Sequence, residues 1–311
     1  MEKRALARIL KRGYRKEYKY FLLFAGIALL GFLLFYLVPV IRTIVLSFTD
    51  KTVYGIDVHF VGWDNYRLAL AGDPLFKRSM IQSLVFAVGS GILVLVTSLI
   101  LAMLLNAKVK GIGIFRTIYF LPFIIPAFAV GAVYKNILNP NTGLLNRILE
   151  TFGVANPPLW YVSPETALVT MILVSAMGFG VKMLVFLAAL QGIPASLYEV
   201  ADIEGATPFR KFWKITMPLI SPMLFLNVIM ITIDGMRSFS LAYVMGNGSG
   251  EPAHSTLLFP IYMFMTAFTP DYSYELGYAA AMAWLFFLVI LALTGLNFLF
   301  SRYYVQKDVA L

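Results

Sequence analysis

The chain has 311 residues, of which 60 % are hydrophobic, 15 % aromatic and 13 % charged, and its formal net charge is +9. Soluble domains carry about 45–50 % apolar and about 25 % charged residues, so this composition places much of the fold against lipid. It excludes a cytosolic enzyme, a disordered regulator and a secreted disulfide scaffold, and the absence of cysteine excludes redox chemistry, disulfides and thiolate metal sites.

In chain order, residues 1–19 form a basic tail with Lys3, Arg4, Arg8, Lys11, Arg12, Arg15, Lys16 and Lys19 against Glu2 and Glu17. A helix needs about 20 mostly apolar residues to cross a bilayer. Stretches of that kind occupy residues 20–41, 83–105, 117–134, 167–190, 217–236 and 279–300. The first is too long for a signal-peptide core and lacks a small-residue cleavage site, so it reads as an uncleaved span. Pro39, Pro122 and Pro126 predict packed, kinked helices, because neighbouring helices in a membrane satisfy the carbonyls that proline frees. The expected fold is an all-α polytopic membrane protein with six transmembrane helices. A basic tail and basic loops (Lys108, Lys110 and Arg116 after span two; Arg210, Lys211 and Lys214 after span four) put both termini in the cytoplasm. The stretch 246–278 contains Glu251, Asp271 and Glu275 but no Lys or Arg, and is expected outside.

Residues 194–218 differ from everything around them. Pro194 stops one helix, and Ser196 with Glu199 fits a capping box. Leu197, Val200, Ala201 and Ile203 predict one apolar side of a short helix, which Gly205 ends in a left-handed turn. Thr207 then reads as an N-cap with Pro208 at the first helical position. The second short helix carries Phe209, Phe212, Trp213 and Ile215 with Arg210, Lys211 and Lys214 between them, and is expected to end at Met217-Pro218. Such a pair is either an interfacial anchor or a docking element for a cytoplasmic partner. An anchor has no need of Glu199, Glu204 or a defined glycine corner.

Glu199-Val200-Ala201, Gly205 and Ile215-Thr216-Met217-Pro218 resemble the EAA loop of ABC importer membrane subunits, departing from its pattern at Val200 and Met217. Phe120-Leu121-Pro122, the stretch Asn139 to Asn146, Leu190 to Pro194, Pro39 to Arg42, Leu46 to Asp50 and Val61 to Tyr66 look like sugar-type permeases. The resemblance implies a type I ABC importer permease, the first of two homologous permeases in a binding-protein-dependent carbohydrate importer of the bacterial cell membrane. It implies two ATP-binding partner subunits docked at the loop, which bind ATP and Mg, and an extracytoplasmic solute-binding protein that delivers sugar. Glu199, Ala201, Gly205, Phe209, Phe212 and Pro218 are the coupling positions it marks.

No phosphate loop of the form G-x-x-x-x-G-K-[ST] occurs, so ATP hydrolysis is assigned to partners and no cofactor to this chain. His59 and His254 read as loop residues, and Gly246 to Gly250 as a flexible turn rather than a phosphate cradle. Met223, Met230 and Met236 suit adaptable packing, and Trp160 and Tyr161 either pack the outer loop or stack on sugar. Lys182, Asp234 and Arg237 are ionisable residues inside spans, which are costly and mark paths or partners. Either they neutralise one another, as an Asp234–Arg237 or Asp234–Lys182 pair, or they line the substrate path. The resemblance adds Gly178, Val181, Ile231 and Gly235 to that path. Two cations against one acid suit an anionic saccharide; a self-neutralised pair suits a neutral one. A gradient-driven secondary transporter using Asp234 and a non-transporting membrane scaffold are the alternative classes.

Overall fold

The computed structural model describes residues 19–107, 111–270 and 275–305 apart from Leu22. The basic tail up to residue 18, Lys108, Lys110, Asp271 and residues 306–311 lie outside the described residues.

Among the described residues five helices are long and apolar enough to cross a membrane. They are α1 (Lys19–Leu46), α2 (Pro74–Leu105), α6 (Pro164–Gln191), α8 (Pro208–Met245) and α10 (Leu276–Tyr304). Between them lie α3 (Ile112–Ile124), α4 (Ala127–Ile137), α5 (Leu144–Thr151), α7 (Ala195–Ile203) and α9 (Phe259–Phe268). The third expected span is the pair α3 and α4, and it is bent by 96°. That is a corner, not the kink expected from Pro122 and Pro126. Pro122 sits inside α3, whereas Ile125 and Pro126 are extended and Pro126 caps α4. Pro126 drives its predecessor out of the helical region.

Two further boundaries differ from the sequence reading. Helix α2 begins at Pro74, well before residue 83, because Asp73 caps it by accepting the Leu75 and Phe76 amides at 2.9 and 3.1 Å. Helix α9 lies within the stretch expected to be an outer loop. Its ten residues are too short for a span, yet Phe259, Pro260, Ile261, Tyr262 and Met265 are buried.

The core gathers at the two ends of α2. At the Asp73 end, Phe76, Phe86, Met171, Leu257, Phe259, Tyr262, Met282 and Phe286 pack together. At the Asn106 end, Ala102, Leu105, Phe179, Met183, Phe186, Leu190 and Ile220 do. Asp73 joins three helices, since its second carboxylate oxygen accepts the hydroxyls of Tyr262 on α9 and Tyr278 on α10. Replacing Asp73 with Ala removes a helix cap and the carboxylate that accepts from two tyrosine hydroxyls. The expected result is a loss of about 2 kcal/mol, read as a lower thermal unfolding midpoint of the purified protein.

The long loops divide between the same two ends. Arg78 and Gln82 of α2 donate to the Ala253 and His254 carbonyls at 2.6 and 2.8 Å, which seats the stretch 246–258 at the Asp73 end. Asn106, Arg116, Gln191 and Glu199 share one groove at the other.

Candidate functional site: an ion-paired cavity and a helical corner

Helix α8 crosses α2 at backbone distance. A Cβ added to Gly235 would lie 2.9 Å from the Ala87 Cα, and one added to Gly91 would lie 2.9 Å from Ile231. Ala87 and Gly91 are one turn apart, as are Ile231 and Gly235, so two small-residue faces interlock. Helix α3 approaches α6 in the same manner, since a Cβ on Gly180 would lie 2.7 Å from the Phe123 Cβ. A 3₁₀ turn at Ala176–Phe179 tightens α6 just before Lys182.

These crossings leave a cavity of about 130 Å3 between α2, α6 and α8. Gly178, Lys182, Ile231, Asp234 and Gly235 line it, as the sequence reading expected, together with Phe86, Ser90, Ser175 and Ser238. Val181 and Arg237 do not. The serines went unnoticed because a span serine usually satisfies itself on its own helix, as Ser175 does by donating to the Ile172 carbonyl at 2.6 Å. Of the two pairings left open, Lys182 is the partner of Asp234, with Nζ 2.6 Å from Oδ2. The lysine side chain is 12 % exposed and the aspartate 62 %. Arg237 caps the main α-helical part of α8 with its amide on the Ile233 carbonyl, and its exposed side chain forms no ion pair among the described residues.

The helical corner sits at the Asn106 end. Pro194 takes the N-cap position of α7 and the helix starts at Ala195. Ser196 is therefore inside the helix, and the capping box expected of Ser196 and Glu199 does not form. Gly205 adopts φ +71 and its amide meets the Asp202 carbonyl, while the Ala206 amide returns to the Ala201 carbonyl at 2.9 Å. Thr207 caps the next helix by accepting the Arg210 amide, with Pro208 in its first turn. Lys211 reaches back to Asp202 at 2.5 Å, and Tyr198 shares a hydrogen bond with Thr216 at 2.8 Å.

The apolar side expected of α7 is split. Ala201 turns inward and is buried, whereas Leu197, Val200 and Ile203 are exposed, Ile203 at 88 %. Phe209 is 74 % exposed, and Phe212 is half-buried with its ring 5.2 Å from Trp213. The second short helix does not end at Met217-Pro218 either. It passes through a π turn at Phe212–Thr216 into the rest of α8, with Pro218 half-buried in the first α-helical turn beyond. The corner is thus one rigid piece with a span. Glu199 is exposed on the wall of a groove of about 850 Å3 that also holds Arg116, Tyr198 and Asp202.

At the Asp73 end, Trp160 donates to Asn146 at 2.5 Å, and Asn146 in turn donates to the Pro140 carbonyl at 3.0 Å. Lys135 lies 5.7 Å from the Tyr161 ring centroid and donates to the Val244 carbonyl at 3.1 Å. Both aromatic residues are thereby engaged in loop packing. His59 pairs with Asp50, which holds that carboxyl below its usual range chiefly through the His59 amide. His254 bonds the Ser249 carbonyl at 3.1 Å. The glycine turn expected to be flexible is packed, since a Cβ on Gly250 would lie 2.5 Å from Leu257 and one on Gly248 3.2 Å from the Tyr243 ring.

Comparison with known proteins agrees with this geometry. Residues 94–306 match the family described as binding-protein-dependent transport system inner membrane component. The chain is 36 % identical over 281 residues to the probable ABC transporter permease protein YesP of Bacillus subtilis (strain 168), covering 90 % of this chain and 89 % of that protein. It is 32 % identical over 285 residues to the lactose transport system permease protein LacF of Rhizobium radiobacter, covering 90 % and 93 %. Its fold matches a chain from the crystal structure of a bacterial ABC transporter involved in the import of the acidic polysaccharide alginate. The TM-score is 0.73 at 21 % identity, over 95 % of this chain and 100 % of that one, and the likeness is one of type I permease fold. The chain belongs to the binding-protein-dependent transport system inner membrane component family and is a permease subunit of an ABC transporter.

Proposed function

We propose that this chain is one of two homologous permeases in an ATP-driven importer that moves an oligosaccharide across the bacterial cell membrane by alternating access. The observation that carries the reading is the exposure of Asp234 and Arg237 on a helix long enough to span the bilayer. Charges at that depth face protein or water, not lipid. A second permease covers this face, and the translocation path runs between the two past Gly178, Val181, Lys182, Ile231, Asp234, Gly235 and Arg237. The oligosaccharide class follows relatives named for lactose, arabinooligosaccharide and maltose/maltodextrin transport.

Two ATP-binding subunits, which bind ATP and Mg, dock on the helical corner, and a solute-binding protein meets the Asp73 end. Both termini and the corner are cytoplasmic, which places Arg116, Arg210, Lys211 and Lys214 inside. Leu197, Val200, Ile203 and Phe209 form the exposed apolar surface for docking, with Phe212 beneath Trp213. Gly205, Ala201 and Pro218 set the corner's shape, and Glu199 orients it. Because the corner continues into α8, closure of the ATPases moves a span directly as a rigid body.

Sugar-dependent ATPase activity of the reconstituted complex across a saccharide panel tests the reading. Gly205→Asp strains a left-handed position, and Glu199→Lys reverses a charge on the docking face. Both variants are expected to insert normally and to lose sugar-stimulated hydrolysis. Unchanged stimulation in both would sink the coupling assignment. Uptake that persisted with ATP depleted and an ion gradient intact would favour a gradient-driven transporter instead.

A further inference from the structure

We infer that the substrate path at the cavity between α2, α6 and α8 selects a saccharide carrying a carboxylate, through Lys182 on the cavity wall and Arg237 just outside it on the exposed side of α8. The inference rests on the importer reading above and names its substrate class.

Lys182 supplies the first argument. An ammonium has three donors. The Lys182 Nζ gives one hydrogen bond, to Asp234, and its side chain is 88 % shielded by the fold, being 12 % exposed. Its remaining N–H groups have no acceptor among the described residues. Unmet donors at the depth of a span are costly, and here they border an open cavity.

Charge balance supplies the second. A pair that served packing alone would close one to one, as Lys182 and Asp234 do. Arg237 breaks that balance. It lies three residues beyond Asp234, on the same side of the helix, is exposed, and has no side-chain partner among the described residues. Two cations against one acid leave one positive charge over. A neutral sugar leaves that charge uncompensated, whereas a carboxylate cancels it. The guanidinium fork matches a carboxylate through two parallel hydrogen bonds. Ser90, Ser175 and Ser238 on the cavity wall suit the sugar hydroxyls.

The test compares a uronic-acid oligosaccharide with its methyl ester of the same length, which differs in charge and hardly in shape. Uptake of each is measured in proteoliposomes holding the complete transporter and its binding protein. Since the binding protein filters substrate first, the quantity to read is the acid-to-ester uptake ratio across permease variants with the same binding protein. Arg237→Gln and Lys182→Met are each expected to lower that ratio about tenfold, and Arg237→Lys to restore much of it. Arg237 is exposed, so its replacement leaves the core packing in place. An unchanged ratio in both variants, or a wild-type transporter that carries the ester and not the acid, would overturn the inference and leave the importer reading standing. Transport of no saccharide at all would overturn the importer reading and this inference with it.

Discussion

Gly277→Ala is expected to unfold the junction between α1 and α10, while the same substitution at Gly295, eighteen residues along the same helix, is expected to be harmless. A Cβ at Gly277 would run into the Thr49 carbonyl oxygen and lie 3.2 Å from that of Leu46, whereas one at Gly295 meets nothing within 4 Å. Both neighbours of Gly277 are backbone atoms, so no rotamer change relieves the clash and one chain must move off the other. That movement breaks the Gly277 amide's bond to the Lys51 carbonyl at 2.9 Å and the bridge from Thr52 to Glu275. It also disturbs Asn65, whose side-chain amide holds the Ser47 and Thr49 carbonyls at 3.0 and 2.9 Å. Ordinary overpacking costs about 1–3 kcal/mol, and this case exceeds it. At Gly295, alanine gains helix propensity of up to about 1 kcal/mol. Thermal unfolding of the assembled transporter should separate the two by many degrees. Equal midpoints for the two variants would show that α10 does not sit on the end of α1.

This contrast marks what was legible in the sequence and what was not. Hydropathy placed every long helix, because a span must satisfy its backbone internally and so declares itself by length. The Thr207 cap and the Gly205 corner were legible because each rests on local backbone chemistry. Ser196 misled for the opposite reason. Its pattern was right, but Pro194 started the helix two residues earlier, and a competing local rule won. The tight sites at Gly235, Gly250 and Gly277 carry no local signature, since what presses on them comes from helices far away in sequence. Helix α9 hid between length classes: apolar enough to be buried, too short to count as a span. For the cavity, composition singled out Lys182, Asp234 and Arg237 as costly, but only the crossing of α6 and α8 decides which cation holds the acid.

Removing either partner of that pair should have unequal consequences. Asp234→Asn leaves the Lys182 ammonium with its single charged partner gone and only 12 % of its side chain exposed. An uncompensated buried charge typically costs about 3–5 kcal/mol, and Asp234→Asn is expected to fall in that range. Lys182→Met leaves a carboxylate that is 62 % exposed in this chain and keeps other sources of solvation. Its methionine also fills the volume of the lysine stem between α6 and α8, so its cost should be well under half as large. The double variant carries neither charge and should recover most of what Asp234→Asn loses, since exchanging a whole ion pair for groups of similar shape is often neutral. Thermal midpoints of the three variants in the assembled transporter give a double-mutant cycle. Equal losses in the two single variants, with no recovery in the double, would mean that Lys182 is solvated and the pair does not hold α6 to α8. Recovery in the double variant would show that the fold needs only charge balance at this point. The excess of cation over acid would then be left for the path to use.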